Sequence, residues 1–428
     1  MKSLNEISKE LWQEFGVVKL YARGRKRFGT RSHILIVPAT FCTIETARMI
    51  AARFANRHFG SNAENRVVVI EHEVGCCSVG IDEHGSLRIL RNSSHNPNIA
   101  AVLVVSLGCG AHCSPSNSSG ESARTGSLIT SIQGPRRQEE VVVQGPGGRN
   151  DAVERGVKMI EAMIQEVERT GRVETSLADL VPGVMNGSSD PTSGLFTNPA
   201  TGIFCDFLMN ANGRIAFSQT TEMLGAEKIM LARADSDRVQ QRMARLLSAA
   251  TTMRMAVELE GVETEPTQGN LRSGISTLKE KSVGTLFKIG MSPKYPIVDV
   301  VPHGKTIGSK SGIYLVDGPG QDVLCMSGLV AAGANVVLFT TGRGAPTGSP
   351  LAPTIKITSN FTTQQNMPEL IDVYLPVEEI FEQGRSMAEI ALQTLVPYVH
   401  AVASGTQLTA AELSGQRDFQ VRQLWPIE

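Results

Sequence analysis

The sequence predicts an α/β protein made of two Rossmann-like parallel-sheet domains facing a central cleft. Two observations carry this. Three short β-branched runs, HILIVPA (33–39), RVVVIEH (66–72) and AAVLVVSLG (100–108), are separated by segments long enough for helices, which is the alternation of a parallel sheet. The same alternation returns after residue 180, with strands at RIAFSQ, GIYLVD, ANVVLFT and TIKIT and helices near 225–258. A chain of 428 residues, 41% hydrophobic, is long enough for each domain to bury its own core.

In chain order, Ser3 to Phe15 has apolar residues at helical spacing and reads as a surface helix. Five basic residues then crowd into YARGRKRFGTR, either a solvated turn or a place to meet an anion. The three strands follow. CSPSNSSGESARTGS (113–127) has too little apolar content to pack and predicts a long exposed loop or lid. Residues 151–170 carry a stripe of Val, Met and Ile with the period of a helix, and a polar segment to about 180 closes the first domain. The division is therefore 1–180 and 181–428.

Composition narrows the function. A formal charge of −1 offers no field to gather nucleic acid or an anionic membrane, so neither is expected as a partner. The longest apolar stretch, AAVLVVSLGCGA, is too short to span a bilayer and lacks the flanks of a signal peptide, which points to the cytoplasm. Seven scattered cysteines, an odd number, do not make a disulfide framework and leave metal or redox chemistry as any special role. With 41 glycines, 20 prolines and 5% aromatics, many backbone-built turns are available to seat a small polar ligand, as in an enzyme.

A cysteine follows each predicted strand of the first half: Cys42 in PATFC, Cys76 in HEVGC and Cys109 in LGC. Ligands of open parallel sheets bind at the carboxyl ends of the strands, so three thiols from three loops can converge there. Such a set suits an iron–sulfur cluster with one open iron, or a ferrous ion aided by His72; the alternative is ordinary buried cysteine. His72, four residues before Cys76, is a candidate ligand or proton carrier, against a purely structural histidine.

The second half holds seven further candidate residues. NGSSDPTSG (186–194) is rich in hydroxyls, and Ser189 and Asp190 can grip substrate hydroxyls or cap a helix. TTEMLGAEKIM puts Glu222 just past a strand as a candidate acid or base. PTQGNLRSGISTLKEKS supplies Asn270 and Lys281, and FTTGRGAPTG sets Arg343 between two glycines after a strand. Arginine binds a carboxylate through two parallel hydrogen bonds, so Arg343 is the natural clamp, with Lys356 of TIKIT as a second cation or an edge-strand residue. Neither GxGxxG nor GxxxxGK[ST] is present at these turns, which disfavours a dinucleotide.

Taken in order from about residue 20 to the end, these segments resemble the altronate and galactarate dehydratases, hydro-lyases of sugar acids. The resemblance rests on GTRSHILIVPATFC, HEVGCC, LRNSSHNPNIAAVLVVSLGC, SSDPTSGLFTNPATG, TEMLGAEKIM, PTQGNLRSGISTLKEKSVG and FTTGRGAPTGSPLAPTIKITSN. It implies iron dependence. The closing LTAAELSGQRDF is also similar to the large subunit of sulfolactate sulfo-lyase, whose leaving group is sulfite. The small N-terminal β-rich domain of the family has no counterpart here, which implies a separate small subunit and an oligomer. Gly110 and Gln219 stand where the sugar-acid dehydratases usually carry glutamate, whereas His72, Gly75 and Cys76 match the dehydratase pattern better than the sulfo-lyase one.

The expected reaction is loss of water beta to the carboxylate of a small hydroxy or sugar acid. Iron sits on Cys42, Cys76 and Cys109, Arg343 and Lys356 hold the carboxylate, and Lys281 or Glu222 moves protons beside His72. Ser189, Asp190 and Asn270 hold hydroxyls. The rivals are a sulfo-lyase, a silent scaffold subunit and an iron–sulfur redox protein.

Overall fold

The computed structural model describes residues 3–24, 26–75, 83–108, 136–261, 264–290 and 292–421. It is α/β with parallel sheets, as the alternation of runs predicts. The first sheet has the order His58–Phe59, Asn65–Val69, His33–Pro38, Ile99–Ser106, Arg137–Val142, parallel apart from its first pair. The second has seven parallel strands in the order Ile297–Val301, Gly312–Val316, Arg214–Phe217, Pro182–Asn186, Val336–Thr340, Thr354–Thr358, Val373–Tyr374.

Side-chain alternation along the strands sends each residue type to one of two cores. Ile34 and Ile36 face the helices Ile44–Ala52 and Gly148–Glu168, while Leu35 and Val37 face the other way. In the second sheet, Ile215, Phe217 and Leu338 face the helices Asn198–Asn210, Asp237–Leu259 and Met387–Ala403. Its opposite face, with Met185, Tyr314 and Phe339, shares one apolar core with Leu35 and Val37. The helices Glu83–Ser94 and Asp322–Ala331 lie in that shared layer, so helix and sheet alternate through the stack.

Polar groups stitch the seam. Asn98 donates through Nδ2 to the carbonyls of Asn335 (3.0 Å) and Leu351 (2.9 Å), and its Oδ1 accepts the Thr30 amide at 2.8 Å. Both chain ends cross over. The helix Leu4–Phe15, opened by a Ser3 capping box, sets Trp12 5.2 Å from Phe207 of the second unit. The segment ending at Val421 returns to the first unit, where Phe419 and Val421 join the shared core and the Ser86 hydroxyl donates to the Val421 carbonyl at 3.1 Å.

Candidate active site

Polar and charged side chains collect at the carboxyl edges of both sheets. At the edge of the seven-stranded sheet, Pro182–Asn186 delivers Asn186 and Arg214–Phe217 runs into the short turn Thr220–Met223 that carries Glu222. Glu222 is buried. Its Oε1 accepts from Lys281 Nζ at 3.0 Å and its Oε2 from Asn186 Nδ2 at 2.6 Å. Lys281, from the helix Leu278–Leu286, also donates to Glu265. Burial alone would lower the Lys281 ammonium, but Glu222 and Glu265 outweigh it and hold the group above its ordinary value.

Three groups that sequence reasoning did not single out complete the cluster. Lys288 is buried with Nζ on the Gln219 and Asn186 side-chain oxygens, the first at 2.7 Å, and 4.0 Å from Glu222; burial pulls its pKa down to about 8. Glu265 is pushed up by burial and by Glu222. Asp322, the first residue of its helix, is pushed up to about 7 by burial and then by Glu222. In the sequence, Lys288 looks like one more lysine of a helical stretch and Asp322 like a cap. For the ring they join, the sequence offered Gln219, where the resembled family usually has glutamate, and the hydroxyl-rich turn that begins at Asn186.

Three loops pack beside the cluster. Asn270 donates to the Ser189 carbonyl at 3.1 Å, Gly342 to the Ser188 carbonyl at 2.8 Å, and Arg343 through Nη1 to the Gly269 carbonyl at 3.0 Å. Arg343 is otherwise exposed, with one of its five donors so engaged. Asp190 is engaged by its own loop and by Asn360. Its carboxylate accepts from Ser193 N (2.7 Å), Thr192 Oγ1 (2.9 Å) and Asn360 Nδ2 (2.7 Å), so its lone pairs hold the loop itself. Ser189, Asp190 and Lys281 line a cavity of about 460 Å³ whose remaining walls include Pro191, Leu195 and Phe287.

Lys356 lies elsewhere. Its strand is flanked on both sides, its side chain is fully buried, and Nζ donates to Gln416. It therefore ties the C-terminal segment to the sheet, and the edge-strand reading gives way because Val373–Tyr374 covers that side.

The edge of the first sheet holds a second cavity, of about 590 Å³, lined by Cys42, His72, Arg48, Glu71 and the returning Phe419–Val421 among others, with no residue in common with the first. Cys42 is exposed. His72 is buried, its Nε2 donates to the Pro38 carbonyl at 2.7 Å and its Nδ1 accepts from Val74 N at 3.1 Å. Burial lowers its pKa, and both ring nitrogens are engaged by the backbone around the loop. That loop runs beside Cys42: Phe41 N donates to the Val74 carbonyl at 2.8 Å, and a Cβ on Gly75 would lie 3.6 Å from Phe41 Cβ. Cys76 and Cys109 lie outside the described residues. Among the described residues no three His, Cys, Asp or Glu side chains form a metal-holding group, and no helix is long and apolar enough to cross a membrane.

A family model described as D-galactarate/altronate dehydratase, C-terminal, matches residues 177–427, more than half of the chain, and one described as D-galactarate dehydratase/altronate hydrolase, second domain, matches residues 20–168. The chain belongs to the galactarate/altronate dehydratase family. As a member of that family it is a carbon–oxygen lyase of the dehydratase type. It is similar to altronate dehydratase of Bacillus subtilis, 31% identical over 380 residues that make up 88% of this chain and 72% of that protein. Altronate dehydratase of Escherichia coli is 29% identical over 404 residues, 94% of this chain and 77% of that one. The (2R)-sulfolactate sulfo-lyase subunit beta of Chromohalobacter salexigens is 25% identical over 406 residues, 95% of this chain and 97% of that one. The galactarate/altronate dehydratase second-domain match contains Cys42, His72, Cys76 and Cys109, and the C-terminal match contains the whole Glu222–Lys281 cluster.

Proposed function

We propose that the chain eliminates water beta to the carboxylate of a small hydroxy or sugar acid, with the chemistry at the Glu222–Lys281–Lys288 cluster. The observation that carries this is the buried Glu222 held at 3.0 Å from a lysine kept cationic by two carboxylates. Such a reaction needs a base for the proton beside the carboxylate and positive charge for the enediolate that follows. In this reading Glu222 takes the proton, Lys281 and Lys288 stabilise the enediolate, and Arg343, at the rim, holds the substrate carboxylate. Ser189 and Asn270 contact hydroxyls, and Asp190 shapes their loop.

Iron is part of the proposal, on Cys42, Cys76 and Cys109. The support is the exposed Cys42 thiol in a cavity at the carboxyl edge of its sheet, with the chain leading to Cys76 passing against Phe41. Iron bound there would supply Lewis acidity. Cytoplasmic location, a separate small subunit and an oligomeric assembly belong to the same proposal. A second reading, elimination of sulfite, is favoured by one fact: the chain is 25% identical over 406 residues to the (2R)-sulfolactate sulfo-lyase subunit beta.

The test is anaerobic purification, assay of iron and acid-labile sulfide, and incubation with altronate, galactarate and sulfolactate. Formation of a 2-keto-3-deoxy acid from a sugar acid, with iron lost in Cys42→Ala, is the expected result. Sulfite from sulfolactate alone would replace it by the second reading, and turnover of none would remove both.

A further inference from the structure

We propose that Asp322 is the acid that protonates the departing hydroxyl, an assignment that rests on the dehydration reading above. The neighbouring groups are already mutually satisfied. Glu222 has one oxygen on Lys281 and the other on Asn186, while Lys288 donates to Asn186 and Gln219. Asp322 sits among them with no hydrogen-bond partner for its carboxyl oxygens among the described residues. Asp322 is part-buried, and a carboxyl left there without a partner beside other carboxylates favours its neutral form or a ligand.

Charge balance points the same way. Two carboxylates, Glu222 and Glu265, face two ammonium groups, Lys281 and Lys288, so the cluster is neutral before Asp322 is counted. A fifth charge there has no counterion. The start of its own helix favours a carboxylate at Asp322, yet burial and Glu222 prevail and push the group up to about 7. The chain also keeps space clear over it. A Cβ on Gly187, the residue after Asn186, would lie 2.7 Å from Phe339 Cζ and 3.4 Å from Asp322 Oδ2, so glycine at this position leaves the carboxyl uncovered.

The protons balance. Glu222 takes the proton from Cα and the electron pair of that bond moves into the carboxylate as the enediolate; the pair then forms the double bond to Cβ as the Cβ–O bond breaks with its pair onto oxygen. The Asp322 proton completes water. The enol acid then tautomerises, and Glu222 returns its proton through solvent to Asp322.

The experiment separates the two proton transfers. Altronate is incubated in deuterium oxide with the full chain and with Asp322→Asn, and NMR follows deuterium entering Cα alongside formation of the keto acid. The variant should keep Cα exchange within about threefold while elimination falls by about a hundredfold or more, the usual scale of general acid catalysis. Asp322→Glu should recover part of the loss. The wild-type elimination rate should fall as pH rises through about 7, and that limb should vanish in Asp322→Asn. Elimination unchanged in the variant, or exchange and elimination lost together in a folded variant, overturns the assignment. Wild-type protein that neither exchanges nor eliminates any of the three acids overturns the dehydration reading itself, a result the variants do not enter.

Discussion

At the scale of single residues, the roles of identical side chains are set by what surrounds them. Lys281, Lys288 and Lys356 are all buried lysines, but the first is held cationic by Glu222 and Glu265 whereas burial lowers the other two to about 8. Asp322 stores a cost that can be read in stability. Its folded pKa of about 7 lies above the ordinary 3.8, so the folded state binds a proton that the unfolded state has lost, and stability falls as pH rises from about 4 to about 7. Asp322→Asn should therefore raise the melting temperature at pH 8 and leave it nearly unchanged at pH 4, with a gain on the order of a few kcal/mol at the alkaline end. Thermal denaturation across that range would show it, and equal shifts at both ends would contradict the placement of the charge.

At the scale of elements, the site is made by strands that end together. Parallel neighbours bring their following loops to one edge, and there the loops at 187–194, 267–275 and 341–344 fasten to each other by backbone and Asn270 hydrogen bonds. A Cβ on Gly342 would lie 2.1 Å from Asp190 Oδ1, which shows how closely two of these loops approach. Arg343 stands at the rim of this arrangement and contributes little to packing. Arg343→Ala should keep the fold and the melting temperature, raise KM and lower kcat together, and cost kcat/KM about tenfold to a hundredfold. Steady-state kinetics on whichever acid turns over would measure it; unchanged constants would take Arg343 out of the site.

At the scale of the whole molecule, the two α/β units are locked by their shared core and by chain ends that cross between them. Arg31, in the first unit and fully buried, donates to both oxygens of Glu412 at 2.7 and 2.9 Å and to the Val402 carbonyl. Burial would raise the Glu412 carboxyl, but Arg31 and the Thr409 amide overcome it and hold the group down at about 2, against 4.5 when unfolded. The stabilisation is complete above pH ~5 and is lost as pH falls toward 2. Glu412→Gln should then cost about 3 kcal/mol at neutral pH and flatten the acid limb of the stability curve between about pH 5 and 2, as read by denaturant unfolding. The local lesson is that a glutamate in an ordinary-looking capping box, TAAE at 409–412, fastens the C-terminal segment to the other unit.

The sequence by itself determined the class of fold and where candidate residues fall along its elements. Continuous β-branched composition is a local property, so HILIVPA, RVVVIEH and AAVLVVSLG read as strands and formed adjacent parallel ones, buried on both faces. Glu222 after a strand and Arg343 between glycines were legible for the same reason. What only the tertiary structure decided is which side chains meet. Lys356 and Lys288 look alike in the chain, yet one faces Gln416 and the other Gln219, because partners are chosen by strand order and helix placement over separations of 60 and 69 residues. The surroundings of His72 and Asp322 follow the same rule: whether a ring nitrogen is spent on Pro38, or a carboxyl is pushed up by burial and a nearby Glu222, depends on burial and neighbours that no spacing encodes.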